Sequence, residues 1–88
     1  MEIREYNVEN NKVTHVWFNV ETLMEAEKLI LKRVFSSTPI ESKWCMGSKQ
    51  KWDSGDGLPL TLFKVNDTEY ELDYTVGPET IKRYVIEN

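Results

Sequence analysis

The chain has few of the side chains that most often carry catalysis or bind transition metals. It contains one cysteine, Cys45, and one histidine, His15, in 88 residues. One cysteine cannot form an intramolecular disulfide, and a small domain without disulfides is typical of the cytosol, where we expect this protein. One Cys and one His also cannot supply the ligands of a common zinc site or a complete hydrolytic triad. We therefore expect a protein that is not an enzyme and has no metal and no cofactor.

Long apolar runs are also missing. No stretch of 18 apolar residues occurs, and the N-terminal sequence MEIREYNVEN has no apolar signal region, which predicts neither a membrane span nor export. Hydrophobic residues make up 40% of the chain and aromatic residues 11%, which is too apolar for a disordered protein. The length allows one core, so we expect a single domain over residues 1–88.

Three of the four glycines lie in one stretch, residues 43–57, which reads KWCMGSKQKWDSGDG. Its Gly-Ser-Lys triplet lacks the spaced glycine of a P-loop. Its DSGDG segment has glycine at Gly55 and Gly57, where an EF-hand loop needs oxygen ligands. We interpret the stretch as a long loop that carries aromatic and basic side chains.

Charge is segregated along the chain, although the net charge is only −4. Residues 28–51 carry six basic residues against one acidic residue, whereas residues 52–88 carry three basic residues against eight acidic ones. Such an arrangement affects association more than folding. The acidic total and a pI near 5.0 make direct binding of nucleic acid an unfavourable hypothesis.

One helix is predicted over residues 22–35. Thr22 followed by Glu25 matches a capping box, and apolar residues recur at helical spacing after it. The helix should end before Pro39, because the residue that precedes a proline avoids helical geometry.

Two hairpins are predicted on either side of this helix and loop. The first joins residues 2–8 to residues 12–18, and aromatic residues on both faces of its second strand favour a strand that is central in the sheet or covered on both sides. The second covers residues 59–76. A turn at Asn66-Asp67 would pair Lys64 with Glu69, Phe63 with Tyr70 and Thr61 with Leu72.

The predicted fold is therefore α+β. It has a small antiparallel sheet of four or five strands, with one main helix packed on one face. The order is β-β-α-loop-β-β, followed by a short terminal element. Residues 78–88 fit either a short helix that begins at Pro78 or a last strand.

Two surfaces are candidates for a binding site. In the strand after Asp67, every second side chain is acidic, so the acidic side chains share one face. The simplest explanation of this pattern is an ordinary solvated polar face of an antiparallel sheet. The acidic candidates are Asp67, Glu69, Glu71 and Asp73. The loop supplies the basic and aromatic candidates Lys43, Trp44, Lys49, Lys51 and Trp52. The lysines form a basic patch, and both tryptophans are interpreted as structural.

The leading hypothesis is a small cytosolic protein that acts by contact with another protein. An inhibitor of a nucleic-acid-handling protein, of the type encoded by phages and mobile elements, would fit the acidic strand face. The alternative is a module that binds a nucleotide or another small anion through loop 43–57. Homodimerisation through an exposed strand edge also stays open.

Overall fold

The computed structural model describes residues 1–43, 49–77 and 79–88, and these form one helix and seven strands. The elements in chain order are β1 (Glu2–Asn7), β2 (Lys12–Trp17), α1 (Leu23–Val34), β3 (Ile40–Lys43), β4 (Gln50–Asp53), β5 (Leu60–Asn66), β6 (Glu69–Tyr74) and β7 (Thr80–Glu87). All strands belong to one antiparallel sheet of order β2-β1-β7-β6-β5-β4-β3. The α+β class is confirmed, but the prediction of four or five strands was too low.

The strand β7 holds the sheet together. It pairs with β1 on one side, with Ile86 opposite Ile3, and with β6 on the other side, with Tyr84 opposite Tyr70. Within the sheet, strand pairing to β7 therefore joins the N-terminal hairpin to the β3–β6 meander. Of the two alternatives for the C-terminal segment, the strand is correct from Thr80 onward, and Pro78 lies outside the described residues.

The helix α1 begins where the capping sequence predicts. Thr22 has extended geometry, and its Oγ1 accepts a hydrogen bond of 3.1 Å from the N–H of Glu25. The carboxylate of Glu25 accepts from the N–H of Glu21, one residue earlier than a standard capping box requires. Phe35 returns to extended geometry at the other end. The predicted helix is thus confirmed with its cap residues.

A single hydrophobic core lies between α1 and one face of the sheet, which we call the covered face. Ala26 and Ile30 of the helix have no exposed surface, and Tyr70 and Tyr84 lie beneath it with 1% exposure each. The buried apolar residues are Ile3, Val20, Ala26, Ile30, Phe35, Trp52, Leu62, Tyr70, Leu72, Tyr84 and Ile86. Strand alternation therefore sends the intervening side chains to the opposite face, which we call the open face.

Of the two strands that the prediction missed, β4 lies within the stretch interpreted as a long loop, and β3 precedes it and shares only Lys43 with it. β3 and β4 pair in antiparallel register, with Ser42 opposite Lys51, and β4 continues onto β5, with Trp52 opposite Leu62. Each of the two strands has only four residues, and only Ile40 and Trp52 are large apolar side chains. Their pairing is fixed by the burial of Trp52, which local sequence pattern does not reveal.

The register of the β5–β6 hairpin differs by one residue from the prediction. Lys64 lies opposite Tyr70, and Leu62 lies opposite Leu72, with an irregularity between Lys64 and Asn66. This register brings Leu62 and Leu72 together under the helix and sends Phe63 to the open face. A shift of one residue exchanges the two faces of a strand, so burial of the leucine pair decides between the two registers.

The second strand of the first hairpin is at an edge of the sheet. In the part of the chain that the structure describes, β2 pairs with β1 alone, and the predicted central position was therefore wrong. The structure places Trp17 against the core beside Tyr84, with ring centroids 6.3 Å apart, whereas Phe18 follows the strand and is 69% exposed. Aromatic residues on both faces of a strand thus did not indicate cover on both sides.

Candidate functional site

The open face carries a row of alternating chemistry across five strands. Successive register partners in this row are Lys51, Phe63, Glu71, Arg83 and Tyr6. The row crosses β4, β5, β6, β7 and β1, so residues far apart in the chain become neighbours at strand spacing. Two aromatic rings, two bases and one acid thereby share a single surface.

A pocket opens beside the middle of this row. It has a volume of about 180 Å³, and its walls are Lys49, Phe63, Val65, Glu71 and Asp73. Glu71 and Asp73 come from the predicted acidic face, and Lys49 comes from the predicted basic patch. The fold thus brings together members of the two surfaces that the sequence suggested separately, and it adds Phe63 and Val65.

Most other carboxylates of the open face have a basic neighbour. Glu69 Oε1 lies 3.9 Å from Arg83 Nε, and Asp53 Oδ2 lies 3.6 Å from Lys51 Nζ. Arg4 lies 3.2 Å from Glu2 and 3.9 Å from Glu87. These pairs make the face a mixture of both charges rather than a uniformly acidic surface.

Glu71 and Asp73 differ from these acids. Among the described residues, neither forms an ion pair or a side-chain hydrogen bond. Asp73 Oδ1 is removed from solvent and has no hydrogen-bond donor within residues 1–43, 49–77 and 79–88. A buried acceptor without a donor is unfavourable, so an N–H or O–H group that gained access to this oxygen would stabilise it.

The remaining predicted residues lie away from the pocket. Asp67 is in the β5–β6 turn, where its side chain is 83% exposed and 3.9 Å from Lys64 Nζ. Lys64 also lies 3.6 Å from Glu27, so this cluster belongs to the helix side of the sheet. Lys43 is exposed on β3.

The two tryptophans of the stretch cannot be treated alike. Trp52 is 2% exposed and packs against Tyr70 in the core, with ring centroids 6.1 Å apart. This burial agrees with its interpretation as a structural residue and removes it from any surface that a partner can reach. Trp44 lies outside the described residues.

A polar cluster that the sequence did not indicate lies on the covered face. Glu5 is 3% exposed, and its carboxylate accepts hydrogen bonds from Thr14 Oγ1 at 2.8 Å and from Arg33 Nε at 3.2 Å. Lys82 Nζ lies 4.0 Å away. A charged residue in a strand resembles a solvated one, and Arg33 is far from Glu5 in sequence, so no local signal pointed to this pair.

The environment of Glu5 sets its protonation. Burial alone would raise the pKa of Glu5, but hydrogen bonds from Arg33, Thr14 and Tyr84 outweigh burial and hold the pKa below its ordinary value of 4.5. Burial and the neighbouring carboxylate of Glu5 raise the pKa of Tyr84, which therefore keeps its proton. At neutral pH the cluster is therefore a charged contact that ties α1 to β1.

Two further observations concern the described part of the chain. Within residues 1–43, 49–77 and 79–88, no group of three or more His, Cys, Asp or Glu side chains is arranged to hold a metal ion. The single helix of these residues is too short and too polar to cross a membrane.

Comparisons of the chain with protein-family models, with curated proteins and with solved structures give no match. The residues of the open face are therefore the observations that bear on function.

Proposed function

We propose that the protein is a non-enzymatic binding protein that contacts another protein through the pocket on its open face. Glu71 and Asp73 are the charged anchors, and Phe63 and Val65 provide the apolar walls. The observation that carries the proposal is the contrast within one face: neighbouring acids form ion pairs, whereas the two acids of the pocket form none among the described residues, although Lys49 lines the same pocket.

The chemistry of the pocket favours a basic side chain of the partner. A guanidinium or ammonium group can donate hydrogen bonds to Glu71 and Asp73 while its alkyl stem or its planar group lies against Phe63. Charge-assisted hydrogen bonds of this kind are stronger than neutral ones. The volume of about 180 Å³ is below the range of typical small-molecule sites, which supports insertion of a single side chain.

The alternative, an anion site in the loop, has less support. Lys51 already lies 3.6 Å from Asp53, and Lys49 shares its pocket with two carboxylates. Negative side chains beside both lysines would repel a phosphate or a nucleotide.

The partner class that we favour is a protein that handles nucleic acid, because its binding groove offers the required basic side chains. The mixed charge of the open face supports recognition of one such side chain. It gives less support to a protein that mimics the phosphate backbone of a nucleic acid, because Arg4 and Arg83 lie between the acidic residues. Inhibition would then follow from occupation of the groove.

Titration of the ¹⁵N-labelled protein with a tri-arginine peptide tests the proposed chemistry. We expect shifts of the amide signals of Lys49, Phe63, Glu71 and Asp73, and no such shifts with a tri-glutamate peptide. The double variant Glu71→Gln/Asp73→Asn should lose the response. Glu9→Gln, which removes one exposed acid from the β1–β2 turn, is the matched control and should keep it.

The same two variants identify the protein partner. A partner captured from the native cytosol by the wild type and by Glu9→Gln, but not by Glu71→Gln/Asp73→Asn, would support the proposal. Peptide shifts that are spread evenly over all exposed acids, or that survive in the double variant, would exclude the pocket as the site.

A further inference from the structure

The two edges of the sheet are built differently. At the β2 edge, Glu5 lies opposite His15 and Tyr6 lies opposite Val13, so Thr14 is an extra residue that forms a bulge. Bulges and edge lysines such as Lys12 are the usual means by which proteins prevent further strand pairing. The β2 edge is therefore protected against addition of another strand.

The β3 edge has no bulge. Its pairing with β4 runs without irregularity from Ile40 to Lys43, and no strand of the described residues pairs on its other side. Ile40 is 61% exposed at the start of this edge. Pairing with another strand would satisfy the unpaired backbone groups of this edge and cover part of the exposed Ile40 side chain.

The side chains of β3 are complementary to themselves under twofold symmetry. Glu41 and Lys43 are both exposed and, being two residues apart, point to the same face of the strand. Suppose that a second β3 pairs antiparallel with the first and that the twofold axis passes between the two Ser42 residues. Glu41 then lies opposite Lys43 of the second copy. The symmetry repeats this pair, which gives two cross-strand pairs of opposite charge. β2 has no acidic residue and cannot form such a pair with its own copy.

We infer that the protein forms a twofold homodimer in which β3 of one copy pairs with β3 of a second copy. The amide of Gln50 donates to Oε1 of Glu41, which leaves Oε2 for Lys43 of the second copy. Pairing within the sheet keeps both helices on one side and both pockets on the other. With strands about 4.8 Å apart, the two Phe63 residues lie five strand spacings, or about 24 Å, from each other.

Sedimentation velocity over a wide range of protein concentrations tests this inference with a charge exchange. The wild type should dimerise. Glu41→Lys and Lys43→Glu, made singly, place like charges opposite each other and should each weaken dimerisation about tenfold. The double variant E41K/K43E restores opposite charges and should restore the dimer. Lys12→Glu on the β2 edge is the matched control and should leave it unchanged.

Three outcomes would overturn the inference: a wild type that stays monomeric, a double variant that fails to dimerise although circular dichroism shows it folded, or equal loss of the dimer in Lys12→Glu. The double variant also decides the matter if a single variant folds poorly. The peptide titration concerns a different surface, so the two proposals can fail separately.

Discussion

Carboxylate side chains have opposite environments on the covered face and on the open face of the sheet. On the covered face, Glu5 is surrounded by donors, and Glu27 accepts a hydrogen bond of 2.9 Å from the hydroxyl of Tyr70. On the open face, Glu71 and Asp73 lack such partners among the described residues. A carboxylate under a helix loses water and must be compensated within the fold, whereas a carboxylate that lines a pocket open to the surface can be left for a partner.

The largest effect that separates the two faces should come from their aromatic residues. Trp52→Ala removes a side chain that is 2% exposed and should lower the free energy of unfolding by roughly 3–5 kcal/mol. Phe63→Ala, on the half-buried wall of the open-face pocket, should cost less than half as much. Urea denaturation of both variants measures the difference, and equal losses would contradict the assignment of the two faces.

The next effect concerns buried and open carboxylates. Glu5→Gln removes the charge that Arg33 and Thr14 stabilise and should lower the free energy of unfolding by about 1–3 kcal/mol. Arg33 is 44% exposed and regains water, so the cost should not reach that of a fully buried orphan charge. Glu71→Gln should change stability by less than about 0.5 kcal/mol. A large loss in Glu71→Gln would show that the pocket has a structural role.

The wild type and Glu5→Gln should differ in pH dependence. Because the pKa of Glu5 is lowered in the folded protein, its stabilising contribution is complete above the unfolded pKa near 4.5 and is lost as the pH falls through the lower folded pKa. Glu5→Gln should therefore flatten the loss of stability in acid relative to the wild type. Thermal melts between neutral pH and strongly acidic pH measure both slopes.

The smallest effect should come from one hydroxyl group. Tyr70→Phe removes the donor to Glu27 and should cost about 1 kcal/mol, because Lys64 at 3.6 Å remains as a partner of that carboxylate. Tyr74→Phe, at a position that is 44% exposed, should have almost no effect. Urea denaturation again provides the comparison, and a loss in Tyr74→Phe as large as that in Tyr70→Phe would count against it.

The parts of the fold that local sequence determines were predictable. Thr22 and Glu25 mark the start of the helix because their hydrogen bonds lie within one turn. The alternation in β6 was visible for the same reason, and Tyr70 and Leu72 are indeed buried. The register of β5 was not visible, because it depends on the contact of Leu62 with the core beneath a helix that lies elsewhere in the chain.

The candidate site was predictable only in fragments. The acidic strand face and the basic patch were each predicted from residues that are close together in the sequence. The pocket that Lys49 shares with Glu71 and Asp73 forms only when β4 pairs with β5. Glu5 and Arg33 meet only after the helix has packed on the sheet. Contacts between distant segments carry no periodic signal, so sequence pattern could suggest the components of the site and not their arrangement.

The position of β7 in the chain determines when the sheet can form during synthesis. Ile3 must wait for Ile86, a partner roughly 80 residues later in the chain. At a synthesis rate of 5–20 residues per second, the first hairpin spends about 4 to 16 seconds without the strand that joins it to the rest of the sheet. During that interval β1 presents an unpaired edge, which other strands can pair with until β7 has been made.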